Sequence, residues 1–129
     1  EPVGGQCGPA APTHELRFDI LREIARLNPN TPLVLHGASS VPKKFVNMIN
    51  KNGGDLEHTS GIPTDQLRRS VKMGICKINV DSDARLAFTA AVRESLNNNP
   101  TNFDPRKYLS AARDLMMQNY TDEIENIMK

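Results

Sequence analysis

The stretch "PLVLHGAS", residues 32–39, decides the reading of this chain, because an apolar run of the kind that fills a core ends on histidine, glycine and serine. Leu33, Val34 and Leu35 are apolar on both faces, which suits a strand buried from both sides in a parallel sheet or barrel. Such a strand needs no histidine at its end for stability. In parallel architectures chemistry gathers where strands finish, since side chains emerge there from a rigid scaffold beside helix N-termini.

Working outward, "ELRFDILREIARL" places Leu16, Ile20, Leu21, Ile24 and Leu27 at helical spacing, an amphipathic helix closed by "NPN". Downstream, "SSVPKKFVNMINKNGG" predicts a helix with a cap serine, a proline in its first turn, a stripe of Phe45, Met48 and Ile49, and a glycine stop at Gly53. The polar connector "DLEHTSGIP" leads to "TDQLRRSVKMG", a short helix with Leu67 and Val71 inward and Gly74 at its end. A second strand, "ICKINV", follows. It runs into "DSDARLAFTAAVRESLNNNP", a helix capped by Asp81 or Ser82 with Leu86, Ala90 and Val92 to Leu96 inward. Asp104 caps and Pro105 opens the last, long helix, whose stripe is Leu109, Ala112, Leu115, Met116, Ile124 and Ile127, a pattern of core or subunit contact.

The order helix, strand, helices, strand, helices predicts an α/β fold with parallel strands and helical crossovers. Two parallel strands do not make a stable sheet alone, so the chain reads as the closing part of a larger barrel or sheet whose other strands lie upstream. Its 129 residues suffice for one domain with a real core. The leading "EPVGGQCGPAAP", with three prolines, three glycines and no apolar periodicity, reads as a loop.

Sixteen basic against fifteen acidic side chains leave a formal charge of +1, which gives no bulk field for nucleic acid or an anionic membrane. With no tryptophan and two tyrosines there is no aromatic platform for stacking bases. No apolar run approaches the ~20 residues that span a bilayer, and no signal-peptide pattern precedes the first helix. Cys7 and Cys76 stand too far apart for a zinc motif and are too few for a disulfide framework, which points to a reducing cytoplasm, with Cys76 expected as a plain buried thiol.

The strand ends supply the candidate site. His36 is a rigidly held imidazole, either a metal ligand or a histidine satisfied by a backbone carbonyl. Gly37 lets backbone amides approach an anion, and Ser39 adds a hydroxyl donor to a phosphate nest, or else caps a helix. At the second strand end, Asn79 could donate to a developing oxyanion, Asp81 accept from a sugar hydroxyl, and Ser82 hold phosphate, although "NVDSD" alone reads more readily as a helix-entry turn. Two such ends on neighbouring strands suggest one shared phosphate site. Arg85 and Arg106 have the fork geometry for a second phosphate, or are solvated or ion-paired surface residues. His14 and His58 sit in polar connectors as surface histidines.

"PLVLHGASSVP", then "GIPTDQLRRSVKMGICKINVDSD", then "FDPRKYL" closely resemble the C-terminal part of class II, zinc-dependent fructose-bisphosphate aldolases, from about Leu16 to the end. The resemblance implies a (β/α)8 TIM barrel, with residues 16–129 supplying its last two strands and outer helices and residues 1–15 a mobile active-site loop and linker. It implies reversible cleavage of fructose 1,6-bisphosphate to dihydroxyacetone phosphate and glyceraldehyde 3-phosphate, a step of glycolysis and gluconeogenesis. By resemblance His36 is one of three histidine ligands of a catalytic zinc, and Gly37 and Ser39 help bind the ketose phosphate and a monovalent cation, sodium or potassium. Asn79 matches the residue that stabilises the enediolate, Asp81 and Ser82 those that contact dihydroxyacetone phosphate, and Arg85 and Arg106 those at the aldehyde-end phosphate, the last reaching a neighbouring subunit. Ser82 stands where the family often has threonine and keeps the hydroxyl. A homodimer or homotetramer in the cytoplasm is implied as well.

The upstream aspartate and histidines of that family do not occur here, and one ligand cannot make a catalytic zinc site, which usually takes three from the protein. The chain is therefore expected to be the C-terminal piece of a longer polypeptide, inactive alone. Tagatose 1,6-bisphosphate as substrate, a non-catalytic phosphosugar-binding or assembly module, and a metal-free phosphate-binding barrel enzyme with His36 as acid or base remain the alternatives.

Overall fold

The computed structural model describes residues 15–128. Helix α1 (Phe18–Leu27) precedes strand β1 (Leu33–Leu35); α2 (Lys43–Lys51) and α3 (Thr64–Val71) then lead to β2 (Ile75–Ile78), and α4 (Ser82–Asn98) and α5 (Pro105–Ile127) close the chain. The strands pair in parallel, Leu33 opposite Ile75, Val34 opposite Lys77 and Leu35 opposite Ile78, with an irregularity between Leu33 and Val34. Asn79 N–H donates to the Leu35 carbonyl at 2.9 Å, which carries the ladder one step past β2 and brings the two strand ends level. This is the expected α/β order with parallel strands and helical crossovers; the expected leading loop, Cys7 and His14 lie outside the described residues.

Two apolar clusters hold the elements together. Ala38, Ile62, Leu67 and Ile127 form one, with Leu35, Val71 and Ile78 against it, so that the end of α5 packs under the β1 end and α3. Phe45, Ile49, Ala87 and Ala90 form the other, joined by Leu115 and Met116 of α5. The buried apolar positions of α4 are all alanine, at 84, 87, 90 and 91. Small side chains spaced three and four apart let α5 lie close along α4, because interaxial distance follows the side chains at the contact. The six-residue turn between them, 99–104, makes the pair antiparallel, with Ile127 back near the start of α4.

Gly53 and Gly74 end their segments in the left-handed region, at φ +81° and +104°, as the sequence predicts. Asp104 caps α5 by accepting from Arg106 N–H at 3.0 Å, with Pro105 in the first turn, also as predicted. Other expectations fail. Pro42, not a serine, stands at the N-cap of α2, because Ser39 and Ser40 are drawn toward α4. Of the inward face expected for α4, Ala90 is buried and Leu86 packs on the core, but the other buried apolar positions are Ala84, Ala87 and Ala91, and Leu96 is exposed. Leu109 and Ile124 of the expected α5 stripe are exposed too, while Ala112, Asn119 and Ile127 are buried. Cys76 is an exposed thiol, not a buried one, with Sγ 3.5 Å from the Gly74 carbonyl.

The same openness marks Val34 and the Ile20, Ile24 and Leu27 stripe of α1, none of which is covered by described residues. β1 is thus covered on one face only.

Candidate active site at the strand ends

His36 follows β1 directly and Asn79 follows β2, and the ladder places them side by side, with Asn79 Nδ2 3.0 Å from His36 Nδ1. In that arrangement the amide donates, Nδ1 accepts, and Nε2 keeps the ring proton. Gly37 comes next at φ +64°, a conformation that turns the chain away from the strand without steric cost to glycine. Its backbone is exposed beside the imidazole.

Ser39 then reaches across to the other loop. Its Oγ accepts from Ser82 N–H at 3.2 Å and from Asp81 N–H at 3.4 Å, the orphan amides at the start of α4. Helix α4 has no cap from its own side chains, so the cap is supplied in trans by Ser39. These bonds use Oγ as acceptor and leave its proton for an incoming oxygen anion. The Ser39 hydroxyl proton and the open Gly37 backbone, beside the start of α4, form a cradle of a kind that could take a phosphate or an oxyanion.

Asp81 is exposed and forms a two-pronged ion pair with Arg85 one turn on, Nη2 to Oδ2 at 2.7 Å and Nε to Oδ1 at 3.0 Å. Both residues proposed for substrate therefore hold each other at the rim, where an anionic ligand would compete for the guanidinium. Arg106 is not brought to the site. It clasps Asp104 at 2.7 Å, is 88% exposed in its side chain, and stands at the far end of the α4–α5 pair. The guanidinium holds the Asp104 carboxyl below the usual carboxylate range. The 17 residues of α4 put that end about 25 Å from the strand ends at a rise of 1.5 Å per residue.

His36 is the single candidate metal ligand at the strand ends, and no group of three or more His, Cys, Asp or Glu residues that could hold a metal occurs among the described residues. The imidazole fits the part of one ligand: it is exposed, fixed by the strand and oriented through its other nitrogen by Asn79. A metal at Nε2 would require the ring proton on Nδ1 and the Asn79 amide turned to present Oδ1. His58, in the connector, is exposed and 3.8 Å from Glu57, the surface residue expected.

Sequence reasoning missed Asp83. It is 1% exposed, at the second position of α4, and its carboxylate accepts from Ser40 N–H at 2.8 Å, Ser40 Oγ–H at 2.9 Å and Val41 N–H at 2.7 Å. Only the repetition of acids in "DSD" hinted at it, since a helix start needs one. Glu123 of α5 lies against it, receives Asn119 Nδ2–H at 2.8 Å, and is pushed above the usual carboxylate range by burial and by the charge of Asp83. A cleft of about 710 Å³ adjoins the β1–α2 loop between Lys44, Thr59, Arg68 and Glu123, but His36, Asn79 and Asp81 do not line it. The strand-end cradle, not this cleft, carries the chemistry-bearing residues.

Parallel strands ending in an oriented imidazole, a carboxamide and a serine at a helix N-terminus mark an α/β protein that gathers its polar groups at the strand ends. A family model for class II fructose-bisphosphate aldolase matches residues 3–129. A fructose-bisphosphate aldolase of Treponema pallidum (strain Nichols) is 49% identical over 113 residues, 88% of this chain and 34% of that protein. One described as class 2, of Synechocystis sp. (strain ATCC 27184 / PCC 6803 / Kazusa), is 44% identical over 115 residues, 88% of this chain and 32% of that protein. One from Thermus caldophilus is 50% identical over 98 residues, 76% of this chain and 32% of that protein. The chain belongs to the class II fructose-bisphosphate aldolase family, and it spans about a third of the length of these curated relatives.

Proposed function

We propose that this chain is the closing third of a (β/α)8 barrel, β1 and β2 being its last strands, and that the gene product carrying it cleaves fructose 1,6-bisphosphate reversibly by an aldol reaction. The observation that carries the reading is the contact of Asn79 with His36 at 3.0 Å, beside the Ser39 cap on α4, in a chain of this family. The relatives named above bear the name of that activity.

In this reading His36 is one ligand of a zinc ion, whose remaining ligands come from sequence upstream, together with the aspartate base. Zinc, when bound, supplies Lewis-acid polarisation of the ketose oxygens. Asn79, on the rigid end of β2, donates its amide N–H to the oxygen that gains negative charge as the carbon–carbon bond breaks. Gly37 N–H, Ser39 Oγ–H and Ser82 Oγ–H hold the phosphate of the dihydroxyacetone phosphate half, with sodium or potassium balancing its charge. The Asp81 carboxylate accepts from a hydroxyl of the same half. Arg85 leaves Asp81 for the phosphate of the glyceraldehyde 3-phosphate half, and Arg106, about 25 Å away along α4, serves the site of a second subunit in a homodimer or homotetramer. The setting is cytoplasmic glycolysis and gluconeogenesis.

The test is cleavage of fructose 1,6-bisphosphate by the gene product before chelation, after chelation and after zinc is restored, with His36→Ala alongside. Activity lost on chelation, regained with zinc and absent from the variant supports the reading. No cleavage by folded, zinc-loaded protein overturns the fructose assignment, and turnover of the tagatose epimer would then take its place.

A further inference from the structure

The two strand-end loops are tied to each other in opposite senses. Ser39 of the β1–α2 loop caps α4, while Asp83 of α4 reaches back and binds the two loop residues that follow Ser39. An acid in the first turn of a helix is favoured by the helix dipole even when exposed. It does not need burial for that, and a buried carboxylate is costly unless its oxygens are occupied. Those of Asp83 are occupied by two consecutive loop amides and the Ser40 hydroxyl, at 2.7 to 2.9 Å.

What the loop does at that point is unusual. Val41 sits at φ +50°, a conformation that β-branched residues avoid, because Cβ crowds the backbone. Such strain persists only where the surroundings over-determine it. Here Asp83 Oδ1 takes the Val41 N–H on one side. On the other, Ile62 N–H donates to the Ser39 carbonyl at 3.0 Å, and Gly61 lies so close that a Cβ there would stand 2.3 Å from the Ser40 carbonyl carbon and oxygen.

We propose that Asp83 is a positioning residue for the strand-end site: its buried carboxylate holds Val41 in the left-handed conformation, and that kink fixes where Ser39, Gly37 and His36 stand. The inference rests on the aldolase reading above. Asp83 touches none of the groups assigned to substrate or metal; it acts through the loop.

The test compares the gene product with its Asp83→Asn, Val41→Gly and double variants by steady-state cleavage of fructose 1,6-bisphosphate, thermal melting, and hydrogen exchange at the Ser40 and Val41 amides. Asparagine keeps the shape but aims an N–H at one of the amides. The single variant is expected to lose about 10- to 100-fold in kcat/KM, the equivalent of one charge-assisted hydrogen bond. Glycine reaches φ +50° without strain, so Val41→Gly in the Asp83→Asn background is expected to restore much of that loss, which a merely structural role of Asp83 would not allow. Wild-type kcat/KM in Asp83→Asn overturns the proposal, as does a loss that follows melting and is not relieved by Val41→Gly. If the unaltered protein cleaves no sugar bisphosphate, the aldolase reading fails separately. Exchange then decides the clamp: faster exchange of the two amides in Asp83→Asn upholds it, and unchanged protection overturns it.

Discussion

Replacing Ser39 by alanine asks whether its hydroxyl serves the fold, the ligand or both. The Oγ accepts from Ser82 N–H at 3.2 Å and Asp81 N–H at 3.4 Å. Losing a helix N-cap costs about 0.5–2 kcal/mol, typically about 1. Both distances lie at the long end for amide donors, so the lower half of that range is expected. In a domain of 150–250 residues a loss of about 1 kcal/mol lowers the melting temperature by about 2–4 °C. The effect on substrate is expected to be larger. The hydroxyl proton is left for a phosphate oxygen, and a hydrogen bond to a charged group contributes about 1.5–3 kcal/mol, which is about 10- to 150-fold in KM. Melting curves and steady-state cleavage of fructose 1,6-bisphosphate on the same preparation separate the two effects. A lower melting temperature with unchanged KM would show that Ser39 is a cap alone and refute the phosphate cradle. No change in either would refute the cross-loop geometry.

Glu123→Gln tests the half-buried carboxylate beside Asp83. An acid whose folded-state pKa is raised contributes stability in full below its ordinary value, 4.5, and loses it as pH rises through the raised value. Glutamine keeps the Asn119 bond without the charge, so the variant is expected to melt above wild type at pH 7 and to lose that advantage below about pH 4; equal melting at pH 7 would contradict the burial argument. Gly61→Ala would put a methyl 2.3 Å from the Ser40 backbone, and overpacking of that kind costs about 1–3 kcal/mol. It is expected to depress kcat/KM as well as stability, and normal values of both would mean that the β1–α2 loop has slack. Phe45, 2% exposed among Ile49, Ala87 and Ala90, is expected to cost about 3–5 kcal/mol in denaturant titration when cut to alanine. A loss below 1 kcal/mol would remove that cluster from the core.

His36, Ser39 and Asn79 were legible because strand ends announce themselves: an apolar run stops, and residues with lone pairs and N–H groups follow. The partnership of Ser39 with the α4 amides, and of Asp83 with Ser40 and Val41, was not, because each joins residues more than 40 apart and neither residue type is unusual at a helix start. Hydrophobic patterning misread the later turns of α4 for a different reason. It weights leucine and valine, whereas the face that α5 covers is alanine, chosen for closeness of approach rather than for area. Cys76, Val34 and the α1 stripe, patterned for burial, are open in a two-stranded sheet. Apolar pattern specifies that a face is to be covered and is silent on which segment covers it.

The ladder brings His36 and Asn79 level, and side chains from the two loops add to what holds them there. The ladder itself is short, three paired positions with an irregularity between the first two. Past the strands the register is held by the Asn79 N–H bond to the Leu35 carbonyl and by side chains bonding to the opposite loop's backbone, Ser39 to the start of α4 and Asp83 to the turn after Ser39. Because each tie starts on the segment where the other ends, neither loop can shift without breaking both. Substitutions on the open faces of β1 and β2 are therefore expected to change stability while leaving the site geometry intact. Changes in residues 39–41 or 81–83 move the histidine and the asparagine relative to each other even where the fold survives.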